Sequence, residues 1–90
     1  MSRRPVVTHQ QGFFLLGSGQ PMALVSAGVP AADALEHASC LIASITDLAA
    51  AMGDGGLSSG GAFAIQQLAE TAQALIDAAA IGCGSEAHRL

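Results

Sequence analysis

The chain has no lysine, tryptophan or tyrosine, and only three arginines and three phenylalanines in 90 residues. Each scarcity excludes something. The cations, Arg3, Arg4 and Arg89, sit at the two ends, so the body between them carries neither Lys nor Arg. Nucleic-acid binding needs cationic side chains that displace phosphate counterions. An anionic membrane surface needs a basic patch. Neither nucleic acid nor membrane is therefore an expected partner. Aromatics make up 3% of residues against 51% apolar, and much of the apolar share is alanine. Alanine favours helix and buries little area per residue. An all-β domain would need more aromatic and β-branched side chains.

Two cysteines, Cys40 and Cys83, do not make a secreted disulfide framework. No apolar run of signal-peptide length follows the N-terminal arginines. The apolar-rich stretches are broken by Asp, Glu, Ser and Thr at helical spacing, which rules out a transmembrane span. A cytoplasmic location is the expectation these absences leave. A chain of this length forms one domain and buries roughly 60–65% of its unfolded surface. The core is thin, and a second copy would supply more apolar surface.

What the chain does have is periodicity. Residues 1–12 read as a flexible leader, polar apart from Val6 and Val7, and His9 falls within it. Phe13–Leu16 and Met22–Val25 are short apolar runs around a turn-rich Gly17-Ser18-Gly19-Gln20. They suit a short extended segment or a small hairpin, with Pro21 keeping the second arm to an edge. From Ala31 to Met52 the pattern is helical. Pro30 suits a first helical turn, and Asp33 and Glu36 complement the positive end of the dipole. Ser39 can bond back to the Leu35 carbonyl. The expected cap position holds no Ser, Thr, Asn or Asp. Leu35, Ile42 and Ala49 recur every seven residues, as do Ala38, Ile45 and Met52 offset by three, with Leu41 and Leu48 flanking.

Residues 53–60 form a Gly-rich linker. No Lys-Ser/Thr follows it and no strand precedes it, so it is not a phosphate loop. A second helix spans about 61–81, capped by Ser58 or Ser59 and stopped by Gly82 and Gly84. Its stripe is Ile65, Leu68, Ala72, Leu75 and Ala79. The expected architecture is mainly all-α: an antiparallel αα-hairpin domain over 13–82 behind the extended segment, with a polar tail at 83–90. Each helix is roughly 30 Å long. Two helices cannot cover two wide apolar stripes, so a homodimeric four-helix bundle is expected.

Phe14, the run Gly28–Ala49 and the run Gln66–Ala79 together resemble the DUF3077 family of small proteins common in pseudomonads. The matching motifs are Gly28-Val29-Pro30, Asp33-Ala34-Leu35-Glu36 and Ala38-Ser39. The chain departs from the family pattern with Ala27 in place of proline and Gln73 in place of lysine. It also lacks the aromatic residue often found early in the second helix. The resemblance covers about two-thirds of the chain and implies no activity.

Chemistry-bearing residues are few. His37 and Cys40 lie three apart on one helix side. An antiparallel hairpin would bring Cys83 and His88 towards them, making a Cys/His metal or small-ligand site the alternative reading. The spacing fits no compact zinc motif, and Cys40 also reads as a small apolar residue. No cofactor is expected. A helix exterior offers a Cys–His pair neither pocket nor oxyanion donors, and Glu36, Glu70 and Asp77 fall on polar faces. The expectation is a non-catalytic acidic protein acting through a protein partner, regulatory or accessory in role. Its interface residues would be Phe13 and Phe14, then Leu35, Ala38, Ile42, Ile45 and Ala49, then Ile65, Leu68, Ala72 and Leu75. A further alternative is an acidic inhibitor of a basic protein, although a net charge of −4 is modest.

Overall fold

The computed structural model describes residues 6–52, 56 and 58–88, and of 83–88 the backbone alone. Two strands are followed by two helices: β1 (Gln11–Leu15), β2 (Pro21–Val25), α1 (Ala31–Met52) and α2 (Ser59–His88). The strands form an antiparallel hairpin in which Gln11 faces Val25 and Phe13 faces Ala23. The turn closes with the Leu16 N–H donating to the Gln20 carbonyl at 2.9 Å. Pro21 opens β2, a strand-end position where its missing N–H costs least. Phe14 has φ +53°. A bulky residue in the left-handed region is strained, at a cost of order 1–3 kcal/mol. The ladder between Phe13↔Ala23 and Leu15↔Pro21 is interrupted there.

The helices pack antiparallel. Ala31 and Ala34 at the start of α1 meet Ala79 near the far end of α2, and the Met52 side chain lies against Gly61. The bounds of α1 match the periodic stretch, but its inward face is turned from the expected one. Ala31, Ala34 and Ala38 are buried, and Leu41, Ile45, Leu48 and Met52 are half-buried. Leu35, Ile42 and Ala49 are exposed. Alanines at 31, 34 and 38 let the helices approach closely, and the larger residues continue the same seven-residue seam. Back-bonding in α1 comes from Ser44 to the Cys40 carbonyl and from Thr46 to that of Ile42, rather than from Ser39.

The leader is not loose over its described part, which corrects the expectation for residues 6–12. Val7 bridges Pro30. Thr8 is 3% exposed, and every polar group it has is used. Its N–H donates to the Val29 carbonyl at 2.7 Å, and its own carbonyl accepts from Gly28. Its hydroxyl donates to the Ser26 carbonyl at 2.7 Å and accepts from the Val29 N–H. Gly28 turns the chain at φ +84°, where a side chain would be strained. Residues 1–5 lie outside the described residues.

That docking explains the missing side-chain cap of α1. The Pro30 carbonyl accepts from the N–H groups of Asp33 and Ala34, so Pro30 flanks the helix instead of opening it. The orphan N–H of Ala31 donates to the Val6 carbonyl at 2.8 Å. Leader backbone does the work usually given to Ser or Asp.

α2 begins earlier and ends later than expected. Ser58 is its cap: the hydroxyl accepts from the Gly61 N–H at 3.0 Å and the carbonyl from the Ala62 N–H. Ser59 and Gly60 are thus helical, not linker; residues 53–55 and 57 lie outside the described residues. Gly82 and Gly84 do not stop the helix, which runs on to His88 through most of the expected tail. Gly82 has a different task. A methyl group there would overlap the Val7 carbonyl, so glycine allows the leader to cross directly over the helix. One turn earlier, the His9 N–H donates to the Ala78 carbonyl at 3.0 Å.

α2 therefore has two covered faces. Ile65, Leu68, Ala72, Leu75 and Ala79, the expected stripe, are buried or half-buried. On the other side Ala74 and Ala78 pack with Val25 and Phe13. Among the described residues the buried set is seven alanines, Val25 and Thr8, and no large side chain is fully buried.

Candidate functional site

The N-terminal segment runs antiparallel down α2. Val7 lies over Gly82, His9 binds Ala78, and Phe13 packs on Ala74 and Ala78. Leu15 reaches the region of Phe63 and Gln67. Between β1 and α2 this leaves an open groove of about 400 Å³, lined by all five residues of β1 and by Glu70, Gln73, Ala74 and Asp77. The helix residues are spaced as one ridge, at i, i+3, i+4 and i+7. A second groove of about 360 Å³ joins it through Phe14, Leu15 and Glu70, and adds Met22, Phe63 and Gln67. The two form one trough with unlike ends.

The end nearest Phe63 is apolar: Phe63 is 63% exposed, Leu15 66% and Met22 72%. The rest is acidic, with Glu70 on the wall that both grooves share and Asp77 at the far end. Glu70 accepts from the Gln66 amide at 3.2 Å, and Asp77 from the Gln73 amide at 2.8 Å. Each carboxylate keeps further acceptor capacity after one such bond. No described residue is lysine or arginine. Phe14, in its left-handed conformation, lines both grooves and stacks at a tilt on Phe13, with centroids 4.6 Å apart.

The residues singled out from sequence are dispersed. Ala38 and Ala72 are buried; Ile45, Ile65, Leu68 and Leu75 are half-buried along the helix seam, and Phe13 is half-buried under the hairpin. Phe14 lines the trough. Leu35 and Ile42, 43% and 47% exposed, stand with Ala49 on the outer side of α1. His37 and Cys40 are both exposed on α1. The side chains of Cys83 and His88 lie outside the described residues. No group of three or more His, Cys, Asp or Glu able to hold a metal ion occurs among the described residues. Glu36 is exposed on α1, while Glu70 and Asp77 line the trough. No described helix is long and apolar enough to cross a membrane.

Sequence periodicity missed the roles of Thr8, which ties the leader to residues 26–29, and of Gly82, which lets the leader cross α2. The available signal for Thr8 was a lone hydroxyl residue after two valines, and it is indistinguishable from a frayed end without its partners at 26–29. The trough also combines residues from segments more than forty positions apart, which no local spacing brings together.

A family model described as "Protein of unknown function (DUF3077)" matches residues 11–82. No curated protein and no solved structure matches the chain. The matched span covers both strands, all of α1 and α2 up to Gly82. The leader contacts of Val6, Val7, Thr8 and His9 fall before it.

Proposed function

The chain belongs to the DUF3077 family, and since that membership brings no activity with it, we propose a function from the surface. We propose that the protein is a non-catalytic interaction module, regulatory or accessory in role, that works as a homodimer. The carrying observation is the makeup of its interior. Among the described residues no large side chain is fully buried, and seven of the nine buried residues are alanines. Alanine contributes little apolar area, so one copy leaves most of its larger apolar side chains in contact with water. A second copy would cover them.

The outer stripe of α1 suits that contact. Leu35 and Ile42 are exposed at seven-residue spacing, the repeat that lets one helix interlock with another. Two helical hairpins meeting there would make a four-helix bundle. Sedimentation at micromolar concentration is expected to report two chains per particle. The Leu35→Ser/Ile42→Ser double variant is expected to sediment as one chain with its helical circular dichroism retained. A parent chain that is already monomeric would remove the proposal.

A further inference from the structure

The trough between β1 and α2 has a chemistry that the dimer proposal leaves unused. We infer that it takes an extended peptide segment of a partner protein, apolar at one end and basic at the other, added as a strand to the outer edge of β1. This deepens the interaction reading and rests on it.

Three observations bear on the occupant. β1 pairs with β2 alone in a two-stranded sheet, so outward N–H and C=O groups of its extended residues have no ladder partner; left-handed Phe14 interrupts that edge, and the Gly12 carbonyl accepts from the Gln11 amide at 3.4 Å. All of β1 lines the groove, and main-chain pairing to such an edge is a recurrent mode of peptide capture. The side-chain environment sets the polarity. Phe63, Met22 and Leu15 offer an apolar seat at one end, Glu70 stands midway on the wall that both grooves share, and Asp77 offers a second carboxylate at the other end. Those carboxylates are held by glutamine amides only, so a lysine or arginine would find them without an existing cation to displace among the described residues.

The geometry also bounds the length. From Phe63 to Asp77 along α2 is about 21 Å, which an extended segment of about six residues spans. A second copy is a poor occupant. Meeting through an antiparallel two-fold, it would set its apolar end against Glu70 and Asp77, and no described residue of the chain is a lysine or arginine that could pair with them. The outer side of α1 is separate and remains available for self-association.

The test uses the full chain and a fluorescein-labelled, end-blocked seven-residue peptide with leucines at one end and two lysines at the other. Anisotropy is expected to show saturable binding that weakens with salt. The same peptide with glutamates for lysines should bind roughly tenfold more weakly or worse. The Glu70→Gln/Asp77→Asn variant should lose about tenfold for the lysine peptide only. Equal affinity for the two peptides, or an unchanged affinity in that variant, would overturn the inference. If the double variant loses helicity, Phe63→Ser decides, because that residue is exposed: weakened binding supports the trough, and unchanged binding overturns it. Sedimentation of the same samples separates the two readings. A dimer that ignores the lysine peptide overturns the trough alone, and a monomer overturns self-association.

Discussion

α1 and α2 carry equally regular seven-residue repeats, yet they end up in different surroundings. α1 is covered on one side only, by α2, and its opposite side shows Leu35 and Ile42 to solvent. α2 is covered on two sides, by α1 and by the N-terminal segment with its hairpin. The difference is written in small residues. α2 buries Ala74 and Ala78 on a second face and carries Gly82 where the leader crosses it. A regular stripe states that a helix has an inward face. It does not state how many neighbours the helix has, because a second face of alanines adds little to the hydrophobic pattern.

The contrast can be broken most sharply at Ala78, which is fully buried. Ala78→Leu overfills the space beneath Val25 and is expected to cost about 3 kcal/mol. Ala69→Leu, on an exposed position of the same helix, should stay within about 0.5 kcal/mol. Urea midpoints compare them, and equal midpoints would mean that the second face of α2 is not packed.

Thr8→Val comes next. It keeps the shape but strands the Val29 N–H and the Ser26 carbonyl, both bonded to the hydroxyl. A loss of about 2 kcal/mol is expected, with amide exchange rising first at the start of α1. A variant as stable as the parent would return the leader to the status of a loose end.

The smallest effect is the most discriminating in sign. Gly→Ala inside a helix ordinarily gains about 0.5–1 kcal/mol. At Gly60, with nothing within 4 Å of the added methyl, that gain is expected. At Gly82 the methyl meets the Val7 carbonyl, and a net loss of about 1 kcal/mol is expected instead. Thermal unfolding of the two variants should therefore move in opposite directions. A gain at both sites would place the leader elsewhere.

Much of the fold was legible. The bounds of α1 and the seam residues of α2 follow from local rules acting on neighbouring residues, while the hairpin around residues 17–20 and the cap at Ser58 were each one of two readings those rules allow. Half of the inward face of α1 was legible, at Ala38, Ile45 and Met52 with Leu41 and Leu48 beside them, whereas Leu35, Ile42 and Ala49 stand outside and Ala31 and Ala34 take the inward positions. Leucine and isoleucine outweigh alanine in any hydrophobic count, whereas close helix packing selects the smaller side chain. The two glycines after Ile81 read as a stop, since glycine commonly ends helices. The backbone instead continues, because Gly82 serves a neighbour far off in sequence. Of the trough, Phe14, Glu70 and Asp77 were visible as residues, but not their convergence.

By itself, then, the sequence determined what short-range physics controls: helix propensity from alanine, period and turn chemistry. Tertiary structure alone decided three things. It set which side of each helix faces inward and tied Thr8 to the turn before α1. It also laid β1 along α2, so that an apolar seat and two carboxylates share one trough. Each depends on contacts between residues twenty or more positions apart, whose loop-closure cost is repaid only when the whole set forms together.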